Sequence, residues 1–415
     1  MRCFLAPRQV LLAAGFLRAG ATALVGVLLG LYLAALHLSA AQAGMVTGAG
    51  LAGAALGALA VTLWGGRLGA RSALLACGGA AAAGAALLPL VARPGTLAAV
   101  AFAGMVNGMG RDRGAAAVLE QSLLPATTDA AGRTRAFAWY TALQDVGHAL
   151  GSLGAALPAL LAGAAGTLAA LRLGLGAHAL LLAASALLYL GLPRGPAAAA
   201  TATPRLSADS RRFLLRLCLL FAVDGLGGGF LTTTLLTWFY AARFGAGATA
   251  LALLFFASRI ANVGSHFVAA WLAPRLGLVN TMVWTHLPSS LLLPVIAFAP
   301  SFPLAAGCHL LRECLVEMDV PTRTSYSMAV VRPEERTAAA GWTNLTRLAS
   351  WAVGPALAGA LMGSVALAAP LLLAAVIKGG YDLALWASFR RLPPPEERRG
   401  NGPGPAAATI ESGGA

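Results

Sequence analysis

The sequence predicts an all-α integral membrane protein in which twelve transmembrane helices form two six-helix bundles related by a pseudo-twofold axis. The composition supports this fold class, because 58% of the 415 residues are hydrophobic and only 11% are charged. A soluble domain carries about 25% charged residues, so the chain is expected to lie in a lipid bilayer. A second observation is that similar short segments recur at an offset of about half the chain.

Twelve apolar stretches of about 20 residues or more, the length that spans a bilayer, follow one another along the chain. In the first half the predicted spans are residues 10–38, 43–64, 73–92, 96–123, 134–162 and 167–193. In the second half they are residues 212–241, 247–272, 278–299, 303–331, 336–363 and 366–390. Turn-forming residues separate them, as at Arg93-Pro94-Gly95. The first stretch is too long for a signal-peptide core, so we interpret it as the first span.

Polar segments divide the chain into four predicted parts. Residues 1–193 form an N-terminal six-helix bundle, and residues 212–392 form a C-terminal one. Residues 194–211 are rich in Pro, Ala, Thr and Arg and predict a cytoplasmic linker. Residues 393–415 contain many Pro and Gly and predict a disordered cytoplasmic tail.

The placement of arginines predicts the orientation in the membrane. Most loop arginines fall on the side of the linker, whereas the opposite loops offer Arg93, Arg172 and Arg243. Since cytoplasmic loops are rich in basic residues, we expect both termini in the cytoplasm and the chain in the inner (cytoplasmic) membrane. The net charge of +14 then belongs to loops, so no nucleic-acid partner is expected. We expect a monomer in the lipid bilayer.

An internal repeat is visible residue by residue. Gly66–Gly69 after the second span is echoed by Pro274–Gly277 after the eighth, and Arg133–Trp139 is echoed by Arg336–Trp342. The offsets are all close to 200 residues. Parallel repeats related by an axis along the membrane normal are typical of one class of secondary transporters.

The loop after the second span resembles a signature of the major facilitator superfamily. Arg67, Gly69 and Arg71 match the family pattern, while Gly66 stands where the family has an aspartate. The resemblance implies a twelve-helix transporter that works by alternating access, and it is nearest to the drug-efflux-like permeases. It also implies a role in conformational gating for these three residues. The repeat extends that role to Arg275 and Gly277.

Two further stretches are similar to patterns of the same family. Gly354–Gly359 is similar to the G-P-x-x-G stretch of its antiporters, although it lies in the eleventh span rather than the fifth. Arg111–Gly114 approximates the R-x-x-Q-G pattern of the fourth helix without its glutamine. The resemblance concerns the fold and does not name a substrate.

Charged dipeptides lie inside two corresponding spans. Arg111-Asp112 is in the fourth span and Arg312-Glu313 is in the tenth. A charge at membrane depth costs about 2.5–3.5 kcal/mol per residue on insertion scales. One interpretation is a pair of structural ion pairs that hold the first and fourth helices of each repeat together. The other is a site where arginine binds an anionic group or tunes a carboxylate that carries a proton.

Five other embedded charges are candidate substrate or coupling residues. Arg18 and Asp224 occupy pseudo-equivalent places in the first and seventh spans and are expected to pair across a central cavity. Asp145 and Arg259 lie at similar depth in the fifth and eighth spans, which adjoin in this fold. Arg347 has no obvious partner and could face a substrate anion. For all five residues, a role in packing or in an interface between helices is the alternative interpretation.

A second charged group lies toward the cytoplasmic end of the tenth span. We expect it to form a gate network with Arg336; its members are Glu317, Asp319, Arg323, Glu334 and Glu335.

The absence of enzyme motifs in the sequence favours transport. No nucleotide-binding, nucleophile-elbow or metal-ligand pattern occurs, so neither an enzyme nor a cofactor is predicted. We predict secondary active transport of a small solute, with proton-coupled export of an organic compound as the first hypothesis. The alternative is uptake or exchange of an anion, because the embedded arginines outnumber the embedded acids. A receptor or scaffold that does not transport is the remaining alternative.

Overall fold

The computed structural model of the chain contains helices and no strands among the residues that it describes, which are 5–112, 114–128, 133–194, 207–319, 322–323, 326, 331 and 335–390. The first half contains α1 (Pro7–Ala35), α2 (Ala40–Leu68), α3 (Ala70–Leu87), α4 (Pro94–Ala103), α5 (Ala115–Leu123), α6 (Arg133–Gly154), α7 (Leu157–Ala165) and α8 (Thr167–Leu188). The second half contains α9 (Ala208–Gly229), α10 (Thr233–Phe244), α11 (Ala248–Leu276), α12 (Leu278–Phe298), α13 (Phe302–Val316), α14 (Arg336–Ser364) and α15 (Ala369–Phe389).

Nine helical stretches among these residues are long and apolar enough to cross a bilayer. They correspond to the predicted spans other than the fourth, tenth and eleventh. The fourth is interrupted, the helix of the tenth ends at Val316, and α14 carries Thr343, Asn344, Thr346 and Arg347 in its first half. The helical membrane fold is therefore confirmed, whereas the count of twelve spans stays a prediction.

Glycines with positive φ angles occupy equivalent turns in the two halves. Gly69, between α2 and α3, has φ of +74°, and Gly277, between α11 and α12, has φ of +83°. Glycine adopts this conformation without the steric cost that a Cβ imposes. The predicted repeat thus corresponds to the same backbone turn in both halves.

Small residues allow equivalent helix pairs to pack closely. In the first half, a Cβ on Gly151 of α6 would lie 2.0 Å from the Gly20 carbonyl oxygen of α1. In the second half, a Cβ on Gly354 of α14 would lie 2.5 Å from the Gly229 Cα of α9. Interfaces between membrane helices commonly use small residues in this way, since close backbone approach maximises packing.

The two halves are joined most tightly at one end of the bundle. We call the end where α1 begins the proximal end and the opposite end the distal end. A buried apolar cluster that contains Leu29 and Tyr32 of α1 also contains Leu235 and Phe239 of α10. Toward the proximal end, two separate clusters contain residues of the first half alone and of the second half alone, while a smaller cluster joins the middle of α2 to the middle of α14. The distal end is therefore closed.

The fourth span differs from the continuous helix that the sequence predicts. α4 ends at Ala103, α5 begins at Ala115, and the described residues between them, 104–112 and 114, lie outside regular helix. Met105 and Gly110 there have φ of +51° and +71°. Four glycines lie between residues 104 and 114, and the prediction of one helix over 96–123 was wrong because apolar length outweighed these helix-breaking residues.

Some predictions fall on residues that the structure does not describe. These are the linker over 195–206, the tail over 393–415, Arg113, Glu334 and the side chain of Arg336.

Candidate functional site

Arg18 of α1 forms the centre of a buried charged cluster in the first half. Its Nε donates to Asp112 Oδ2 at 2.6 Å, and its Nη2 donates to Glu120 Oε2 at 2.6 Å. Asp112 lies in the interrupted fourth span, and Glu120 lies on α5 with no exposed surface. One guanidinium thus faces two carboxylates, and the three groups carry a net charge of −1 when both acids are ionised.

Two tyrosines complete the surroundings of Glu120. The Tyr140 hydroxyl donates to Oε2 at 2.6 Å, and the Tyr189 hydroxyl donates to Oε1 at 2.7 Å. Since buried carboxylates are costly without donors, these contacts and Arg18 explain how an acid is retained inside the bundle. We call Arg18, Asp112, Glu120, Tyr140 and Tyr189 the N-half cluster.

A small cavity adjoins the N-half cluster. It encloses about 60 Å³, and its walls include Arg18, Asn107, Asp112 and His178. His178 Nδ1 lies 2.9 Å from the Ala21 carbonyl oxygen, and its Nε2 is buried without a hydrogen-bond partner. Carboxylate and imidazole acceptors therefore face a space that can hold water.

Asp224 of α9 is the corresponding acid in the second half. Its carboxylate lies 2.6 Å from Lys378 Nζ on α15, 3.6 Å from Arg323 Nη1 and 3.9 Å from Arg347 Nη2. A neighbouring buried pair joins His286 Nδ1 to Asp382 Oδ1 at 2.8 Å. Asp224 thus balances several cations within its own half.

A central cavity of about 110 Å³ lies between the two halves. The cationic side chains in its walls are Arg111, Arg259, Arg312, Arg323, Arg347 and Lys378, and the acidic ones are Asp224, Glu313, Glu317 and Asp319. The six cations outnumber the four acids, which gives the wall an excess of positive charge.

Most of these charges form ion pairs. Arg312 Nη1 lies 2.6 Å from Glu313 Oε1, and Arg323 Nη1 lies 2.5 Å from Asp319 Oδ2. Both pairs lie within the second half.

Arg111 and Glu317 form an ion pair between the halves. Arg111 Nη1 lies 2.6 Å from Glu317 Oε2, which follows α13 in the second half. Among the residues that the structure describes, no other ion pair joins the halves.

Arg259 of α11 is the exception among these cations. Its side chain is buried, with 8% of the residue exposed, and its Nε has no hydrogen-bond partner. No acid described in the structure forms an ion pair with it within 4.0 Å, although Asp145 and Glu313 act on it electrostatically. A buried cation without a direct partner is costly, so this guanidinium is the best candidate to bind a ligand anion.

The contacts of the predicted substrate residues differ from those expected. The pairing of Arg18 with Asp224 across the cavity was wrong, because each finds its partners within its own half. α6 and α11 adjoin as predicted, but Asp145 and Arg259 form no ion pair within 4.0 Å in the described part of the chain. Arg347 lines the central cavity and has an ion-pair partner in Asp224, and its predicted contact with a substrate anion stays a prediction.

The predicted local ion pairs are also only partly present. Arg312 and Glu313 contact each other, whereas Arg111 and Asp112 point to different partners. Asp112 does join the first helix to the fourth span, through Arg18.

The predicted gate residues are distributed over several places. Glu317 lies in the wall of the central cavity and pairs with Arg111. Glu335 accepts hydrogen bonds from the Ser207 backbone and the Ser210 hydroxyl, and so ties α14 to the start of α9.

The arginines of the two proximal turns form no ion pair with a described residue. Arg67 lies in the last turn of α2 and Arg71 in the first turn of α3. Arg275 Nη1 donates to the Trp271 carbonyl at 2.5 Å, and its guanidinium lies 4.1 Å from the Trp271 ring centre. The gating role of these residues, with Gly69, Gly277 and Arg336, stays a prediction.

Glu120 and Lys378 were missed by the sequence reasoning. Glu120 lies inside the predicted fourth span, and Lys378 is the single lysine among 29 basic residues. The rule that an ionisable residue at membrane depth marks a functional site finds both. Neither residue lies next to another charge in the sequence, and neither has a charged counterpart that the repeat made visible.

Comparison with known proteins places the chain in a family. The family model described as Major Facilitator Superfamily matches residues 11–312. Among curated proteins, the chain is 27% identical over 188 residues to the uncharacterized membrane protein YJR124C of Saccharomyces cerevisiae. That match covers 42% of this chain and 42% of the yeast protein, so the similarity spans less than half of the relative's length.

Solved transporter structures share the fold. The nucleoside transporter NupG has a TM-score of 0.72 at 15% identity, covering 93% of this chain and 100% of that one. A D-xylose-proton symporter has a TM-score of 0.69 at 15% identity, covering 92% and 97% of the two chains. A POT family transporter in complex with 5-aminolevulinic acid has a TM-score of 0.73 at 12% identity, covering 92% and 96%.

The identities to these structures are low, so the similarity concerns the fold. Together with the family model, which covers most of the chain, it accounts for the apolar helices and the internal repeat. This multi-pass membrane protein belongs to the Major Facilitator Superfamily.

Proposed function

We propose that the protein is a secondary transporter that moves a small anionic solute through the central cavity by alternating access. The observation that carries this proposal is Arg259, a buried guanidinium in the cavity wall without an ion pair within 4.0 Å among the described residues. Arginine stays protonated under all physiological conditions. A bound carboxylate or phosphate would supply the counter-charge that the described protein groups do not supply directly.

The size of the cavity supports a small solute. Sites for drug-sized ligands enclose about 300–1,000 Å³, whereas this cavity encloses about 110 Å³. Planar guanidinium groups bind carboxylate and phosphate oxygens with two parallel hydrogen bonds. Arg347, which also lines the cavity, is the second group proposed to contact the anion.

Counterflow into proteoliposomes tests this proposal. Vesicles loaded with unlabelled solute would be diluted into trace labelled solute, using lactate, succinate and inorganic phosphate as anions, xylose as a neutral solute and choline as a cation. The proposal predicts counterflow for at least one anion and none for choline. Counterflow restricted to xylose or choline would contradict the anion assignment, and no counterflow of any solute would favour the receptor or scaffold alternative.

Proton coupling is supported by the N-half cluster. Two buried carboxylates share one guanidinium, so uptake of one proton removes the excess negative charge of the cluster. Like-charged carboxylates that share a site do not both ionise readily. We therefore propose that Asp112 and Glu120 together hold the transported proton.

An imposed pH gradient tests the coupling and the direction of transport. Asp112→Asn and Glu120→Gln are expected to abolish gradient-driven accumulation and to leave counterflow within about threefold of the unmodified protein. Glu313→Gln is the comparison variant. Because Glu313 pairs with Arg312 and lies outside the N-half cluster, this variant is expected to keep gradient-driven accumulation. Accumulation that persists in both N-half variants would contradict the assignment.

The sign of the gradient that drives accumulation separates the two proposed directions. Export by proton antiport predicts that solute accumulates on the acidic side of the vesicle membrane. Uptake of an anion together with a proton predicts accumulation on the alkaline side.

A further inference from the structure

We propose that the non-helical segment 107–112 transmits the protonation of the N-half cluster to the contact between the two halves. Asp112 belongs to the N-half cluster, and the neighbouring Arg111 holds the ion pair to Glu317. This proposal rests on the proton coupling proposed above. It assigns Arg111 and Glu317 as positioning residues that link proton binding to the movement of the halves.

The segment forms a wall between the two cavities. Asn107 and Asp112 line the cavity of the first half, whereas Met109 and Arg111 line the central cavity. Residues 108–111 form turns and bends rather than helix, so neighbouring side chains are not confined to one helical face. The interruption of the fourth span therefore lets adjacent residues face the proton site and the solute site.

Internal hydrogen bonds hold the segment together. The Asn107 side-chain amide donates to the Arg111 carbonyl at 2.6 Å and accepts from the Met109 backbone at 2.9 Å. The Asp112 backbone N–H donates to His148 Nε2 at 2.9 Å. Because one side chain bridges residues 107, 109 and 111, a shift at Asp112 moves the backbone that carries Arg111.

The same segment forms most of the polar contacts between the halves. Thr233 Oγ1 donates to the Met109 carbonyl at 2.8 Å, and the Thr234 backbone donates to the Gly108 carbonyl at 3.1 Å. With the Arg111–Glu317 pair, these contacts fix the segment to α10 and to the end of α13. A displacement of the segment therefore strains or breaks its contacts with the second half.

The backbone before the segment is suited to movement. Met105 has φ of +51°, an uncommon conformation for a residue with a side chain. Strained conformations of this kind occur at switch regions, where the surroundings hold them in place. Residues 107–112 also lack the backbone ladder of a regular helix, so their rearrangement breaks fewer hydrogen bonds.

The chemical step is the binding of a proton to one carboxylate oxygen of Asp112; hydronium that reaches the adjoining cavity from the bulk solution supplies the proton and leaves water. The neutral acid loses its ion pair with Arg18, whose guanidinium stays paired with Glu120. The segment is then released from α1 and carries Arg111 away from Glu317. The titratable and charged groups that face Asp112 are Arg18 of α1, Cys77 of α3, Glu120 of α5, Tyr140 and His148 of α6, His178 of α8 and Tyr189 after α8.

The test follows the distance between the halves in the absence of solute. Spin labels would be placed at Ala41→Cys and Ser364→Cys, exposed positions at the distal ends of α2 and α14, after replacement of the five native cysteines by alanine. In this reference protein, the fraction with a separated distal end is expected to change at least fivefold between about pH 5 and about pH 8, because the proposal couples the separation to protonation of a carboxylate.

Arg111→Gln and Glu317→Gln break the same ion pair from opposite halves. Each is expected to reduce the change between the two pH values to less than twofold. Asp112→Asn, which imitates the protonated acid, is expected to show the low-pH distribution at both values. Arg243→Gln, an arginine in the last turn of α10, is the control and is expected to respond as the reference does.

The outcomes separate this inference from the proposals on which it rests. If Arg111→Gln and Glu317→Gln respond to pH as the reference does, the transmission through this ion pair is refuted and proton coupling stands. If the reference itself does not respond, proton coupling and this inference are both refuted. Should Arg111→Gln fail to fold, Glu317→Gln decides alone. The anion proposal is tested independently by counterflow.

Discussion

Gly44→Ala is expected to open the distal end of the transporter. Gly44 of α2 packs against α14 of the other half, and a Cβ there would lie 2.2 Å from the Pro355 carbonyl oxygen and 2.9 Å from the Gly359 Cα. Ordinary contact begins near 3.4 Å, so the two helices must separate by roughly 1 Å to accept one methyl group. The added atom therefore opposes a contact between the halves.

The size of the effect follows from the place of this contact. Overpacking costs about 1–3 kcal/mol, and here the cost falls on the state with a closed distal end. A difference of that size changes a two-state ratio by about 5- to 150-fold. The spin-label pair at residues 41 and 364 measures this ratio directly.

Gly79→Ala is the matched control for this variant. Gly79 lies in α3, and a Cβ there would meet no atom within 4 Å. Both substitutions add the same methyl group to a helix and gain similar helix propensity. They differ in whether the new methyl group meets atoms of the other half, as it does at residue 44, or open space, as it does at residue 79. If the distance distribution of Gly44→Ala coincides with that of Gly79→Ala, the distal contact does not hold the halves closed.

Two predictions concern stability and are checked by thermal unfolding in detergent. Asp224→Asn leaves the cations around it uncompensated and is expected to cost about 3–5 kcal/mol; the double variant with Lys378→Met should recover part of the loss, and equal losses in both would contradict the ion-pair argument. Gly69→Ala forces a Cβ into φ of +74° and is expected to cost about 1–2 kcal/mol, whereas an unchanged melting temperature would show that the turn relaxes.

The helical membrane fold could be predicted because bilayer thickness fixes the length of apolar segments. The equivalent turns at Gly69 and Gly277 also followed from the repeated sequence around them. The interruption of the fourth span was not predicted, because the apolar residues of α4 and α5 suggested one span although the stretch between Ala103 and Ala115 contains four glycines and several charged residues. Backbone conformation in such a glycine-rich stretch depends on its neighbours in α2 and α10.

The partners of the embedded charges could be predicted only in part. Charge at membrane depth drew attention to Arg18, Asp112 and Arg259, whose side chains are mostly buried in the structure. Their pairing is a tertiary property, and the repeat suggested a wrong partner for Arg18 because Asp224 is balanced by Lys378 on α15. A repeat relates positions by symmetry, whereas ion pairs form between side chains that the fold brings within reach.

The most direct test of the central claim compares Arg259→Gln with Arg243→Gln in counterflow of the transported anion. Arg259 lines the central cavity without a close ion pair among the described residues, and Arg243 lies in the last turn of α10, outside the set of residues that line it. Loss of a charge-assisted contact of about 1.5–3 kcal/mol predicts that Arg259→Gln raises the half-saturating anion concentration at least tenfold, while Arg243→Gln leaves it unchanged. Equal values for both variants and the unmodified protein would contradict the account.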